Sequence, residues 1–173
     1  MKLNLASGTD IKPYPWKNLD IVPKWPGYPP CDLHWDARTD KIPFPDASVD
    51  EIVAGYLLLH VARRHHKPLL AEMFRVLQPG GRVQIGELDM PAVMRRWLDN
   101  PTDPQLCDLV WGEQASQEHV DFTPFEEFDK HCCGQSEETL RALMTGAGFV
   151  QLQRIQIHAA DTWHELTYQG FKP

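Results

Sequence analysis

Hydrophobic and polar residues follow strand and helix periods in turn along the chain. Residues 2–6 form a short apolar run that ends in a Ser-Gly turn, as expected of a buried strand. Residues 49–55 form a longer run closed by glycine, whose apolar density is typical of a central strand. From Leu69 to Leu77 the apolar positions form one stripe, which predicts an amphipathic helix.

The alternation continues in the second half of the chain. The Pro-Gly-Gly sequence at 79–81 is predicted to end the first helix, and residues 82–88 to form the next strand. Ser136 is a candidate cap for a second helix, with Gly148 as its left-handed C-terminal residue. Helix followed by strand indicates crossover units of a parallel sheet.

The last two predicted strands have no helix between them. The strand that begins at Val150 changes the parity of its apolar positions, which predicts a bulge near Gln153-Arg154. Residues 163–171 have strand composition and follow a short loop at 159–162. These two strands are therefore predicted to form an antiparallel hairpin.

Two segments depart from regular periodicity. Residues 9–35 contain six prolines, so only Leu19 to Val22 is predicted as a strand there and the rest as loop. Residues 92–135 are predicted to form an inserted flap, with an amphipathic piece at 92–98. Three phenylalanines in the flap are spaced as a helical core stripe, an interpretation favoured over an aromatic cage: Phe122, Phe125 and Phe128.

The predicted fold is one α/β domain over residues 1–173, with a doubly wound, mainly parallel Rossmann-like sheet. The chain has 24 acidic and 17 basic residues, a net charge of −7, and 42% hydrophobic residues. This composition is that of a globular domain, and the acidic balance argues against nucleic-acid binding. No run is long enough to cross a membrane and the first residues lack a signal-peptide pattern, so a cytoplasmic protein is expected.

The cysteine and histidine spacings do not predict a metal site. The four cysteines have neither paired zinc-knuckle nor disulfide-framework spacing, so reduced thiols are expected: Cys31, Cys107, Cys132 and Cys133. The neighbouring His65 and His66 point in different directions on a helix. Oligomeric state is left open.

The first turn and the second strand suggest a nucleoside site. Ser7-Gly8 lets the backbone approach a ligand closely, and a carboxylate such as Asp20 accepts hydrogen bonds from ribose hydroxyls. Chance occurrence of one glycine and one aspartate is an equally good explanation. The GxGxxG signature of dinucleotide sites is absent and Asp10 would repel phosphate, so a nicotinamide oxidoreductase is disfavoured. S-adenosylmethionine fits, since it has an adenosine and no phosphate.

Five segments in order resemble a small class I S-adenosylmethionine-dependent methyltransferase: LNLASG, WKNLD, PFPDASVDEI, RVLQPGG and ETLRALMTGAGF. The resemblance is greatest to a short bacterial group with LNLGSG, WxNLD, PFPDxSVDEI and RVLxPGG patterns, and it runs over nearly the whole chain. It implies the class I methyltransferase fold with its antiparallel C-terminal hairpin, and S-adenosylmethionine as cofactor.

The resemblance also implies site residues. The residues matched to cofactor-binding positions are Ala6, Ser7 and Gly8 in the first turn, Asp20 at the ribose, Asp36 with Ala37 beside the adenine, and Tyr56 near the transferred methyl. Two segments depart from the pattern. Ala6 replaces a glycine, and the HxLEH run reads Tyr56 to His60 without its first histidine and its glutamate.

Methyl transfer needs alignment and, for a hydroxyl or protonated amine acceptor, a general base. His60 is the first candidate base and His131, in the flap, the second, although structural roles for both remain open. The expected activity is methyl transfer to a small-molecule or glycan-like acceptor. The alternative is a catalytically silent cofactor-binding protein that acts through interaction.

Overall fold

A computed structural model describes residues 1–24, 27–112, 130–156 and 164–173. The described strands are β1 (Lys2–Leu5), β2 (Trp16–Asp20), β3 (Leu33–His34), β4 (Val49–Gly55), β5 (Leu77–Leu88), β6 (Val150–Ile155) and β7 (Glu165–Phe171). The described α-helices are α1 (Leu57–His60), α2 (His66–Val76), α3 (Met90–Asp99), α4 (Pro104–Trp111) and α5 (Glu137–Gly146), with a 3₁₀ turn at Arg63–His65.

The strands form one seven-stranded sheet in the order β3-β2-β1-β4-β5-β7-β6. Pairs β3-β2, β2-β1, β1-β4 and β4-β5 are parallel, whereas β7 is antiparallel to both β5 and β6. The predicted mainly parallel sheet with an antiparallel C-terminal pair is confirmed. The strand at 49–55 is central, as predicted, because β4 lies fourth of the seven.

One face of the sheet carries the main apolar core. On β1, Leu3 and Leu5 point into this core and are fully buried, together with Ile52 of β4. Helices α2 and α5 pack over it and against each other, with the rings of Phe74 and Phe149 5.3 Å apart. Alternation along the strand places Asn4 on the opposite face.

A loop rather than a helix connects β3 to β4 and covers part of this core. Residues 35–48 contain no helix and bury Trp35 and Ile42. Arg75 of α2 fastens the loop, since its guanidinium donates to the backbone oxygens of Ile42 and Phe44, both at 3.0 Å. Packing of the first strands thus depends on a loop tied to α2.

The proline-rich segment contains more strand than the sequence pattern predicts. Strand β2 begins at Trp16, three residues before the predicted Leu19, and ends at Asp20 rather than Val22. Pro15 removes only its own N–H, so pairing with β1 starts at the next residue. The two-residue β3 was not predicted, because it is too short to show a period.

The boundary between α2 and β5 also differs from the prediction. Helix α2 ends at Val76, and Leu77 already pairs with Val49 of β4. The Pro-Gly-Gly sequence lies inside β5, where the register shifts before Arg82 pairs with Glu51. Gly80 takes a φ of 77°, so the glycines form an irregularity in the strand rather than the end of the helix.

The C-terminal elements agree with the sequence pattern. Ser136 caps α5, accepting from Thr139 N, and Gly148 has a φ of 101°. The register of β6 shifts between Val150 and Gln153, so the predicted bulge exists, slightly earlier than expected. The 92–98 piece is part of α3. The three flap phenylalanines, the start of the last strand at Trp163 and the loop 159–162 lie outside the described residues.

Candidate functional site

The site lies where the direction of the sheet's connections reverses. After β1 the chain runs outward to β2 and β3 and returns to β4 on the other side of β1. Such a switch point leaves a crevice at the carboxyl ends of the two neighbouring strands. The crevice is bordered by Ala6 to Gly8 after β1, by Gly55 at the end of β4 with Tyr56 after it, and by Gly86 in β5.

The turn after β1 leaves room for a ligand. Ala6 and Gly8 both adopt left-handed backbone conformations, with φ values of 51° and 50°. A Cβ built on Gly8 or on Gly55 would meet no atom within 4 Å. The hydroxyl of Ser7 is buried and has no hydrogen-bond partner among the described residues, so its pairing is left to a ligand or water.

Asp20 joins this turn to the end of β2. One carboxylate oxygen accepts from Gly8 N at 2.7 Å and the other from Val22 N at 2.7 Å. The side chain is 5% exposed, and burial raises the pKa of Asp20 while these two backbone donors act to lower it. Asp20 therefore fixes the Gly8 turn, and each oxygen retains a further lone pair for a ligand hydroxyl.

Asp36 lies beyond the end of β3, next to β2. Trp35 N donates to Asp20 O at 2.8 Å, which sets the position of the chain at this point. The Asp36 carboxylate is held by Arg38, with Nε to Oδ1 at 2.9 Å and Nη2 to Oδ2 at 2.8 Å. This guanidinium lowers the pKa of Asp36. Ala37 packs against the main core.

Tyr56 forms the corner between β4 and α1. It has a φ of 57°, and its N–H donates to Gly86 O at 2.6 Å. Its ring packs against a second apolar cluster, which consists of Leu59, Leu88, Val93, Leu106 and Leu109. The corner therefore connects the crevice to this second cluster.

The two candidate bases lie together. The rings of His60 and His131 meet edge to face, with centroids 5.1 Å apart. His131 Nδ1 is 2.9 Å from Leu109 O, and a carbonyl can only accept, so Nδ1 carries the proton. In the neutral ring Nε2 is then the basic nitrogen.

A cavity of about 200 Å³ adjoins His131 and the second apolar cluster. Its wall is apolar apart from the imidazole and two thiols. The lining residues are Leu59, Leu88, Met90, Met94, Val110, Trp111, His131, Cys132, Cys133 and Gly134. A small, largely apolar molecule suits such a lining.

Two buried polar residues stabilise the start and end of α1, a role that the sequence did not predict for either. Glu87 of β5 is fully buried and accepts from Leu58 N and Leu59 N at the start of α1. His66 of α2 donates from Nε2 to Leu58 O and Val61 O, at 2.9 and 3.0 Å. The one available signal for Glu87 was its parity in β5, which is that of the apolar Val83 and Ile85.

The described part of the chain offers no group of three or more metal-ligating side chains. Cys31, Cys132 and Cys133 form no disulfide there. The described helices also include none with the length and apolarity to cross a membrane.

Sequence comparison relates the chain to methyltransferases. Residues 7–85 match the model of a methyltransferase domain. The ubiquinone/menaquinone biosynthesis C-methyltransferase of Azotobacter vinelandii is 30% identical over 142 residues, which are 79% of this chain and 51% of that protein. The corresponding protein of Pseudomonas fluorescens Pf0-1 is 29% identical over the same shares. The chain thus spans about half the length of these curated relatives.

Solved methyltransferase structures share the fold. An S-adenosylmethionine-dependent methyltransferase of Methanosarcina mazei has a TM-score of 0.60 at 16% identity, covering 99% of this chain and 91% of that one. Human N-acetylserotonin methyltransferase, solved with S-adenosylmethionine, has a TM-score of 0.59 at 16% identity, covering 99% and 47%. The chain therefore shares the class I fold of these structures, and its residues 7–85 match a methyltransferase domain.

Proposed function

We propose that this chain transfers a methyl group from S-adenosylmethionine to a small-molecule acceptor, and that it belongs to the short bacterial group its motifs resemble. The observation that carries the proposal is the crevice between β1 and β4. It combines open space over Gly8 and Gly55, the orphaned hydroxyl of Ser7 and the carboxylate of Asp20. These features suit a nucleoside and offer no cluster of cations for a pyrophosphate.

The residues of the crevice contact different parts of the cofactor. Bound S-adenosylmethionine supplies a methyl group activated by a sulfonium. Ser7 offers its hydroxyl and Asp20 its remaining lone pairs to the ribose, while Asp36 faces the adenine amine in competition with Arg38. Tyr56 closes the methyl end of the crevice. Binding and alignment of this kind supply much of the rate in a displacement reaction.

The cavity that adjoins the second apolar cluster, against which Tyr56 also packs, is the proposed acceptor site. Its six apolar side chains favour an apolar small molecule over the glycan-like alternative, because a sugar would leave buried hydroxyls without partners. His131 takes the proton of a hydroxyl or ammonium acceptor at Nε2, and His60 packs edge-on against the His131 ring. The curated relatives are named as C-methyltransferases of quinone biosynthesis, which is compatible with an apolar acceptor.

The alternative is a silent protein that binds S-adenosylmethionine and acts through interaction. It is motivated by Ala6 in place of glycine and by the altered run from Tyr56 to His60. The left-handed φ of Ala6 turns the chain as a glycine would, which weakens this alternative.

Titration calorimetry with S-adenosylmethionine and S-adenosylhomocysteine tests the cofactor assignment, with NAD as the competing ligand. Micromolar binding of the first two and none of NAD is expected. No binding of S-adenosylhomocysteine would overturn the proposal.

An acceptor screen with S-adenosylmethionine labelled on its methyl group then tests turnover. Small apolar phenols, amines and carbon acids are compared with monosaccharides, in wild type and in Met94→Trp, which fills the cavity. Turnover lost in Met94→Trp while cofactor affinity is retained is the expected result. Cofactor binding without turnover of any acceptor favours the silent alternative.

A further inference from the structure

We propose that Glu87 is a positioning residue for the cofactor site, acting through the start of α1 on Tyr56. This inference rests on the proposed function, because it assumes that Tyr56 closes the cofactor crevice. Glu87 is matched by none of the sequence motifs, and its side chain faces the interior rather than the crevice.

Strand β5 receives three backbone N–H groups from the five residues after β4. Tyr56 N donates to Gly86 O at 2.6 Å, Leu58 N to one Glu87 oxygen at 2.7 Å, and Leu59 N to the other at 3.1 Å. Gly86, through its backbone oxygen, and Glu87, through its side chain, therefore fix the position of Tyr56 and of the start of α1.

Helix α1 cannot hold this position alone. It has four residues, and so short a helix is unstable without outside contacts. Its carbonyls are bound as well, since His66 donates to Leu58 O and Cys132 N donates to Leu59 O at 2.7 Å. Glu87 is the side chain that holds the N-terminal end, which is the end nearest to Tyr56.

A buried ionisable group that caps a helix lowers the free energy of unfolding. Desolvation of a buried carboxyl opposes its ionisation, and an apolar side chain of similar size would pack at less cost. A glutamate at this place is explained if the geometry of Tyr56 matters more than the lost stability. Among the described residues, the Cys133 thiol interacts electrostatically with Glu87, and Cys133 itself lies 3.5 Å from His66 Nε2 and interacts with Arg63.

Calorimetric titration of S-adenosylhomocysteine into wild type, Glu87→Gln and Glu87→Ala between pH 6 and 9.5 tests the proposal. Gln retains one acceptor and presents an N–H to the second backbone donor, so we expect about fivefold to tenfold weaker binding, in line with one lost hydrogen bond. Wild-type affinity should rise with pH as Glu87 ionises, and the slope should vanish in Glu87→Gln. Glu138→Gln, an exposed carboxylate on α5, is the matched control and should bind as wild type.

Nitrogen-15 NMR separates this inference from the proposed function. The amides of Leu58 and Leu59 should titrate together in wild type and not in Glu87→Gln, with or without ligand. Folded Glu87→Gln that binds S-adenosylhomocysteine with wild-type affinity and pH dependence would overturn the positioning role. Absence of ligand binding in wild type would overturn the proposed function, whereas amides that fail to titrate would overturn the role of Glu87 alone.

Discussion

The side chains of Asn4 and Asn18 meet across β1 and β2, with Asn4 Nδ2 donating to Asn18 Oδ1 at 3.0 Å. Asn4 also donates to Asp10 O at 2.6 Å, and Asn18 exchanges hydrogen bonds with both backbone groups of Lys12 at 2.9 Å. Both asparagines are buried. Residues 6–15 contain no helix, so this amide pair holds the loop that follows the Gly8 turn.

Replacement of Asn18 by alanine should destabilise the fold and loosen this loop. The change removes the partners of Lys12 N and Lys12 O, which are part-buried, and of the buried Asn4 Nδ2, and such unsatisfied groups cost about 2 to 4 kcal/mol in total. Urea unfolding measures the loss. The neighbouring exposed Lys17→Ala, which removes only a surface ion pair with Asp32, should cost less than about 1 kcal/mol. Equal effects of the two changes would contradict the role of Asn18.

Replacement of Ala6 by glycine should stabilise the protein. A left-handed conformation costs a non-glycine residue about 1 to 2 kcal/mol, of which the flexibility of glycine in the unfolded chain offsets about 0.4 to 1 kcal/mol. Ala47→Gly is a matched control, because Ala47 also has a left-handed φ, of 50°. It lies in the turn before β4, at the opposite edge of the sheet from the turn that contains Ala6. Both variants should gain in thermal unfolding temperature, and only Ala6→Gly should change affinity for S-adenosylhomocysteine.

Replacement of Asp20 by alanine should weaken cofactor binding by about 1 to 3 kcal/mol through lost charge-assisted hydrogen bonds. It should also lower stability, because Gly8 N and Val22 N lose their acceptor. Calorimetry and thermal unfolding are measured on the same samples. Asp99→Ala, an exposed change on α3, serves as control. Unchanged affinity in Asp20→Ala would contradict the ribose assignment.

Asp36 and Arg38 can be separated by single variants. If Asp36 accepts from the adenine amine, Asp36→Ala should weaken S-adenosylhomocysteine binding by about tenfold or more, whereas Arg38→Ala should have a smaller effect or improve binding. Similar losses in both would show that the ion pair shapes the loop instead. Competition calorimetry with adenosine identifies which part of the ligand is affected.

The stability of the protein should fall as the pH rises from about 4.5 to about 8. Burial raises the pKa of Glu87 to about 8, so the folded protein binds more protons than the unfolded chain in this window. The favourable contribution is complete below the unfolded pKa and lost as the pH passes the folded pKa. We expect a loss on the order of a few kcal/mol, seen in urea unfolding across this range and absent in Glu87→Gln.

Periodic segments could be predicted from the sequence, and contacts between segments could not. Strand β4 and the cap of α5 depend on local patterns, so their predicted positions agree with the structure. Strand β2 begins earlier than predicted because its pairing with β1 overrides the local signal of Pro15. The same limit applies to the two-residue β3, whose existence depends on its neighbour.

In the candidate site, too, local patterns could be predicted and contacts between distant segments could not. The proximity of Gly8 and Asp20 follows from the parallel pairing of β1 and β2, which a strand-turn-strand pattern indicates. The meeting of His60 and His131 joins segments 71 positions apart, and nothing local predicts it. Glu87 was missed because a buried carboxylate is recognised by its partners, here Leu58 N and Leu59 N, which only the fold brings near it.

Because the 35–48 loop is held in place by Arg75, we expect the backbone amides of the sheet to differ in their protection from hydrogen exchange. Strand β5 packs against α2 and strands β6 and β7 pack against α5, whereas the cover of β1 and β2 depends on a loop held at Ile42 and Phe44. Opening of this loop exposes the first strands without global unfolding, so their amides should exchange with deuterium earlier. A ligand in the crevice beside β1 would suppress that local opening, and slowed exchange in residues 2–20 would report its binding even where no acceptor is known.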